Sequence, residues 1–158
     1  MDPFTDVLAA IWTLLESSAN FTSAVKEKNR IKLNLGSDKP RPTEFSTSDF
    51  PMVVVEPYGN EQVNMSKSSS DASFIQRYRI TVYDGDMRPT KNYFPLKWTV
   101  FCVLANTDID FNLNYVRNVT LSDMSDDPGE EDIFPGWRIT FDVDVEMWFN
   151  RTYMKTNI

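Results

Sequence analysis

Six carboxylates crowd one short stretch of this chain: Asp123, Asp126, Asp127, Glu130, Glu131 and Asp132. A hard divalent cation takes a group of oxygens of this kind. The ligand spacing of a calcium-binding loop is absent, however, and the only glycine among them is Gly129. No metal site is therefore expected, and the cluster reads either as a solvated loop or as a functional negative surface. Asp142, Asp144 and Glu146 carry the charge further, on alternate positions of a strand-like run. Such a row is either a solvated edge that resists aggregation or a negative wall facing a pore or a basic partner. Carboxylates can also pair as general acid and base, but no spacing here singles out one pair.

The opposite charge gathers earlier, at Lys26, Lys28, Arg30, Lys32, Lys39 and Arg41, against Glu27 and Asp38. This stretch reads as a solvated face, a contact to an acidic neighbour, or a nucleic-acid patch. The last lacks a recognition motif and has only Phe45 nearby for stacking. Residues 1–79 carry a net charge of −1 and residues 80–158 one of −6. A chain polarised in this way can pair head to tail with copies of itself, and such a contact closes into a ring when the rotation allows. Lys26, Lys28, Arg30 and Lys32 are the expected interface residues, with Trp148, which falls on the polar side of the last strand. Asp123, Asp126, Asp127, Glu130, Glu131, Asp132, Asp142, Asp144 and Glu146 are the expected acidic surface.

What is missing narrows the function. The chain has 158 residues, no His, one Cys and a net charge of −7. Without His there is no Ser-His-Asp or Cys-His nucleophile, and the usual base near neutral pH is lacking. One Cys makes neither an internal disulfide nor a multi-cysteine metal site. No glycine-rich phosphate loop occurs. No cofactor is expected, and a binding or structural role is favoured over an enzyme. Residues Met1 to Asp6 are acidic, so no secretory leader is expected. The sequons at Asn20, Asn64, Asn118 and Asn150 are then expected to stay unmodified. No apolar run approaches the ~20 residues that span a bilayer. The single Cys102 agrees with synthesis in a reducing compartment.

These side chains must be placed by a small set of elements. Phe4, Val7, Leu8, Ile11, Leu14 and Leu15 predict a helix over Pro3–Glu16, with Asp2 as its cap. Thr22–Lys28 predicts a short second helix with Phe21 and Val25 inward. Met52–Glu56 and Phe74–Tyr83 predict strands, the second with Arg77, Arg79 and Thr81 on its polar side. Asn92–Ala105 predicts a helix, on the Phe94, Trp98, Phe101 and Leu104 spacing. Tyr115–Leu121 predicts a strand. Trp137–Phe149 alternates without a break and predicts a strand of about 44 Å at ~3.4 Å per residue. Trp12, Trp98 and Trp137 are expected in the core. Long loops are expected at Asn34–Phe50, Pro57–Ser73, Asp84–Asn92 and Ser122–Gly136, over a third of the chain. Residues 1–158 read as a single α+β domain, a two-layer sandwich with helices packed on one face of a mostly antiparallel sheet.

The long first helix, the Pro-bounded strand Phe50-Pro51-Met52-Val53-Val54-Val55-Glu56-Pro57, the helix near Asn92–Ala105 and the long final strand resemble, in their order, the tail terminator (tail completion) proteins of long-tailed bacteriophages. The resemblance spans most of the chain and rests on organisation, not on a short motif. It implies a homo-hexameric ring that caps the tail tube protein and meets the head–tail connector. DNA would pass through its lumen without being held. The protein would reside in the virion after assembly in the host cytoplasm, with no membrane contact and no catalytic residues. The Asn34–Phe50 and Pro57–Ser73 loops exceed what a minimal member needs. The alternatives are a head-completion or neck protein, or a cone-shaped α+β small-molecule-binding module.

Overall fold

The computed structural model describes residues 2–32, 47–59, 62–65, 71–106, 111–128 and 136–158. Asp2 opens helix α1 (Pro3–Glu16): its carboxylate accepts from the Thr5 amide at 2.9 Å. Pro3 sits at the first helical position, where no amide hydrogen is needed. Val7, Ile11 and Leu15 recur every four residues and are fully buried, with Trp12 beside them. The Phe21 amide then donates to the Ser18 hydroxyl, so helix α2 (Ala19–Ala24) starts earlier than the expected Thr22 and ends before Val25, which is extended. Phe21 and Val25 do face inward. A single 3-10 turn, Glu27–Asn29, leads into β1 (Arg30–Ile31), a strand inside the basic stretch that the sequence did not announce.

Five longer strands follow: β2 (Met52–Pro57), β3 (Gln62–Met65), β4 (Asp71–Asp84), β5 (Val116–Pro128) and β6 (Trp137–Asn150). Their order is β1-β2-β4-β6-β5, with β3 pairing β4 next to β2. Among the described residues only the β1–β2 pair is parallel. Helix α3 (Tyr93–Ala105) crosses between β4 and β5, and a short α4 (Arg151–Lys155) ends the chain. The fold is α+β. The β4–β6 register sets Tyr78 opposite Val143, Ile80 opposite Phe141 and Val82 opposite Ile139. These side chains share one core with α1, α2 and α3. A second, smaller cluster of Ile31, Met52, Val54 and Tyr83, with Phe50 against it, lies on the opposite face of the sheet.

Three expectations need correction. The Pro57–Ser73 loop contains β3 and the first residues of β4, because Val63 and Asn64 find ladder partners in Phe74 and Ser73. The acidic Ser122–Gly136 turn is strand as far as Pro128, so Asp123, Asp126 and Asp127 stand on β5. Residues 34–46, 60–61, 66–70 and 129–135 of the expected loops lie outside the described residues. On α3 the buried side chains are Tyr93, Leu96, Val100 and Leu104, while Phe94 and Trp98 face out. The helix is apolar round its whole circumference, so spacing alone did not say which stripe meets the sheet.

Where the end of β4 meets the start of β6, Gly136 has φ +148°, and a Cβ there would lie 2.0 Å from the Asp84 carbonyl oxygen. Only glycine fits that approach. The Asp84 side chain beside it is buried, and its Oδ2 has no hydrogen-bond partner among the described residues. Burial pushes its carboxyl above the ordinary 3.8, against the pull of the Asp86 amide. A raised folded pKa means that ionisation costs stability: the carboxyl favours the fold while protonated and loses that contribution as pH rises through its folded value. Asp84→Asn, uncharged and of the same shape, should therefore melt higher than the parent at pH 7. The gap should close as the pH falls below the ordinary carboxylate value. A lower melting temperature at pH 7 would count against this account.

Candidate functional site on the helix-free face of the sheet

Period-two alternation sends every second residue of β4 and β6 away from the helices. On β4 these include Arg77, Arg79 and Thr81; on β6 they are Arg138, Thr140, Asp142, Asp144, Glu146 and Trp148. The antiparallel register brings Arg79 opposite Asp142 and Arg77 opposite Asp144. Both pairs are forked. Arg79 Nε and Nη2 reach the two Asp142 oxygens at 2.8 and 3.0 Å. Arg77 Nε and Nη2 reach those of Asp144 at 2.8 and 3.3 Å. Two parallel donors matched to two acceptors give a charge-assisted bond with fixed direction. The bond to Asp142 holds the Arg79 guanidinium above its ordinary pKa, and Asp144 does the same for Arg77. The Tyr58 ring lies over the Arg79 guanidinium, 3.3 Å from centroid to Cζ. Asp142 is thereby only 3% exposed.

Next to these pairs the face is hollowed. Tyr58, Arg79, Tyr83, Asp123, Asp127 and Arg138 are among the side chains around a concavity of about 580 Å³. Arg138 Nη2 donates to Asp127 Oδ2 across the β5–β6 pair. Asp126, one residue back, turns to the helix side and accepts from the Tyr93 hydroxyl and from Lys97 of α3. Burial raises the Tyr93 phenol pKa, and the bond to Asp126 adds to the effect.

The expected acidic surface is therefore only partly assembled. Asp142 and Asp144 are not a bare negative row: each is neutralised by the arginine directly opposite on the neighbouring strand β4, and Asp142 is buried. Asp126 and Asp127 are paired with Lys97 and Arg138 and lie on different faces. Asp123 is exposed, with no cation partner among the described residues. Glu146 accepts from the Trp148 indole at 2.8 Å. Glu130, Glu131 and Asp132 lie outside the described residues. The expected basic interface splits as well. Arg30 and Lys32 both bind Glu16 of their own chain, at 2.8 and 2.6 Å. Lys26 and Lys28 are exposed, and so is Trp148, at 42%. Lys39 and Arg41 lie outside the described residues. Arg77 and Arg79 were not singled out beforehand. Their signal was an Arg-x-Arg on one polar strand face facing an Asp-x-Asp on another, which only the pairing register converts into contacts.

Chemically the face is a row of satisfied charge pairs. Each guanidinium has its charge balanced by a carboxylate, which weakens its attraction for an incoming phosphate. Among the described residues no three His, Cys, Asp or Glu side chains are grouped to hold a metal ion. Among them too, no helix is long and apolar enough to cross a membrane. Compared with known proteins, the chain matches no family model and no curated sequence.

Proposed function

We propose that this chain is a structural subunit of a long-tailed phage particle: a tail terminator that assembles as a ring on the tail tube, stops its growth and meets the head–tail connector. One observation carries the reading. The helices of the described residues lie on one face of the sheet, and on the other, beside the small Ile31–Met52–Val54–Tyr83 cluster, runs a polar strip in which Arg77, Arg79 and Arg138 are each engaged by a carboxylate. A strip of that kind, turned to a lumen, lets DNA pass without gripping it, since gripping needs free cations at the phosphates. Asp123, which has no cation partner among the described residues, adds mild repulsion. The element order of the resemblance, with a capped first helix, a Pro-bounded strand, a crossing helix and a long last strand, fits the same reading.

The reading is tested by adding purified protein to polymerising tail tubes. Tube growth should stop, with a ring of density at one tube end in electron micrographs. Tubes that keep growing, with no protein at their ends, would sink it.

A further inference from the structure

Helix α3 leaves an aromatic ridge uncovered. Phe94 and Trp98 are 47% and 66% exposed, and Trp98 stacks on Phe101 with ring centroids 5.7 Å apart. At 100° per residue, Lys97, Phe101, Phe94 and Trp98 succeed one another round one flank of the helix. Lys97 identifies that flank, because its Nζ is 2.6 Å from Asp126 Oδ2 on β5. Since β5 is an edge strand, the ridge stands beside an open edge of the sheet.

A hollow of matching character lies elsewhere on the helix layer. Phe4 and Leu8 of α1, Pro57 at the end of β2, and Gln76 and Tyr78 of β4 line a mostly apolar concavity of about 380 Å³. It lies towards the β2 side of the sheet, away from β5. The two surfaces differ in charge. Residues 2–17 hold Asp2, Asp6 and Glu16 and no Lys or Arg; residues 88–105 hold Arg88, Lys91 and Lys97 and no Asp or Glu. Within the chain Lys97 is paired with Asp126, Arg88 and Lys91 share the single carboxylate of Asp86, and Glu16 is held by Arg30 and Lys32. What is left over is one excess positive charge at Arg88 and Lys91, ahead of α3, and the carboxylates of Asp2 and Asp6 on α1.

We propose that the Phe94–Trp98–Phe101 ridge of one copy seats in the Phe4–Leu8–Pro57 hollow of a second copy. The proposal names the partner of the ring and rests on that reading for closure. Ridge and hollow are different surfaces, so the contact is heterologous and leaves each copy with one of each to pass on. A large aromatic side chain entering an apolar pocket is the usual centre of such a contact.

The exposed Cys102, one turn beyond Trp98, provides the test. In a Thr5→Cys variant, mild oxidation should link Cys102 of one copy to the new cysteine of the next. The product should be a ladder of dimer, trimer and higher species, absent from the parent. Trp98→Asp should abolish the ladder and raise the concentration for half-assembly at least about tenfold in sedimentation. Its circular dichroism should be unchanged, because the side chain is mostly in solvent. Dimers alone, formed through Cys102 in the parent, would mean an α3-to-α3 contact and overturn the proposal. So would a Trp98→Asp protein that assembles and ladders as before; that result would leave the capping reading untouched. A ladder that forms as proposed, from protein that does not stop tube growth, would sink the capping reading and leave the contact standing.

Discussion

Phe141→Ala should cost about 3–5 kcal/mol in denaturant melts, the range for deleting a fully buried aromatic ring. Phe141 is 0% exposed in the middle of β6, with Ile80 opposite it on β4 and Met124 on β5. The ring is part of the one cluster that joins the sheet to α1, α2 and α3, so its removal opens a cavity between the layers. Backbone ladders on both sides of β6 prevent the strand from closing that space. The loss should appear as a lower midpoint with an unchanged slope. A shift below about 1 kcal/mol would mean that the site collapses onto the gap and is not a rigid core position.

The second large effect is expected from Arg79→Met. It leaves the Asp142 carboxylate, 3% exposed, without its forked partner. Breaking a buried pair from one side costs about 3–5 kcal/mol, because the remaining charge is stranded. The Arg79 side chain is 23% exposed, so water can reach part of the site, and about 2–3 kcal/mol is the expected loss. Replacing both partners, Arg79→Met with Asp142→Leu, should recover most of it, since two apolar groups need no compensation. Asp144→Asn should matter less: its pair with Arg77 is more open, with side chains 25% and 39% exposed. Equal losses in the single and double Arg79 variants would show that packing of the arginine stem, and not the stranded charge, sets the cost. For the same reason, reversing Asp142 to Lys is not a neutral surface change. It would set an ammonium against Arg79 inside a nearly closed site.

Much of the architecture was legible beforehand wherever one physical signal acted alone. Asp2 before Pro3, followed by apolar residues every three or four positions, settled α1 to the residue. The unbroken alternation from Trp137 settled β6 and its inward face. Signals failed where they were mixed. Asp123, Asp126 and Asp127 are poor strand formers by themselves, yet they continue β5, because Arg138, Lys97 and Tyr93 stand ready to receive two of them and β6 supplies a full ladder.

The division between the two levels is clearest at the candidate site. The residues alone determined that the polar side of β6 carries Asp142, Asp144 and Glu146, because the side-chain period of a strand is two. They also determined that the polar side of β4 carries Arg77 and Arg79. Only the tertiary structure decided that these two rows face each other. Register is a long-range property: a slip of one residue would flip one row to the helix side, and a slip of two would set Arg79 against Thr140 or Asp144. The same holds for α3. Its sequence is apolar on every side, so its intrinsic preference is silent about orientation. The shape of the β4–β6 surface chose Tyr93, Leu96, Val100 and Leu104 for the core, and left Phe94 and Trp98 in the open.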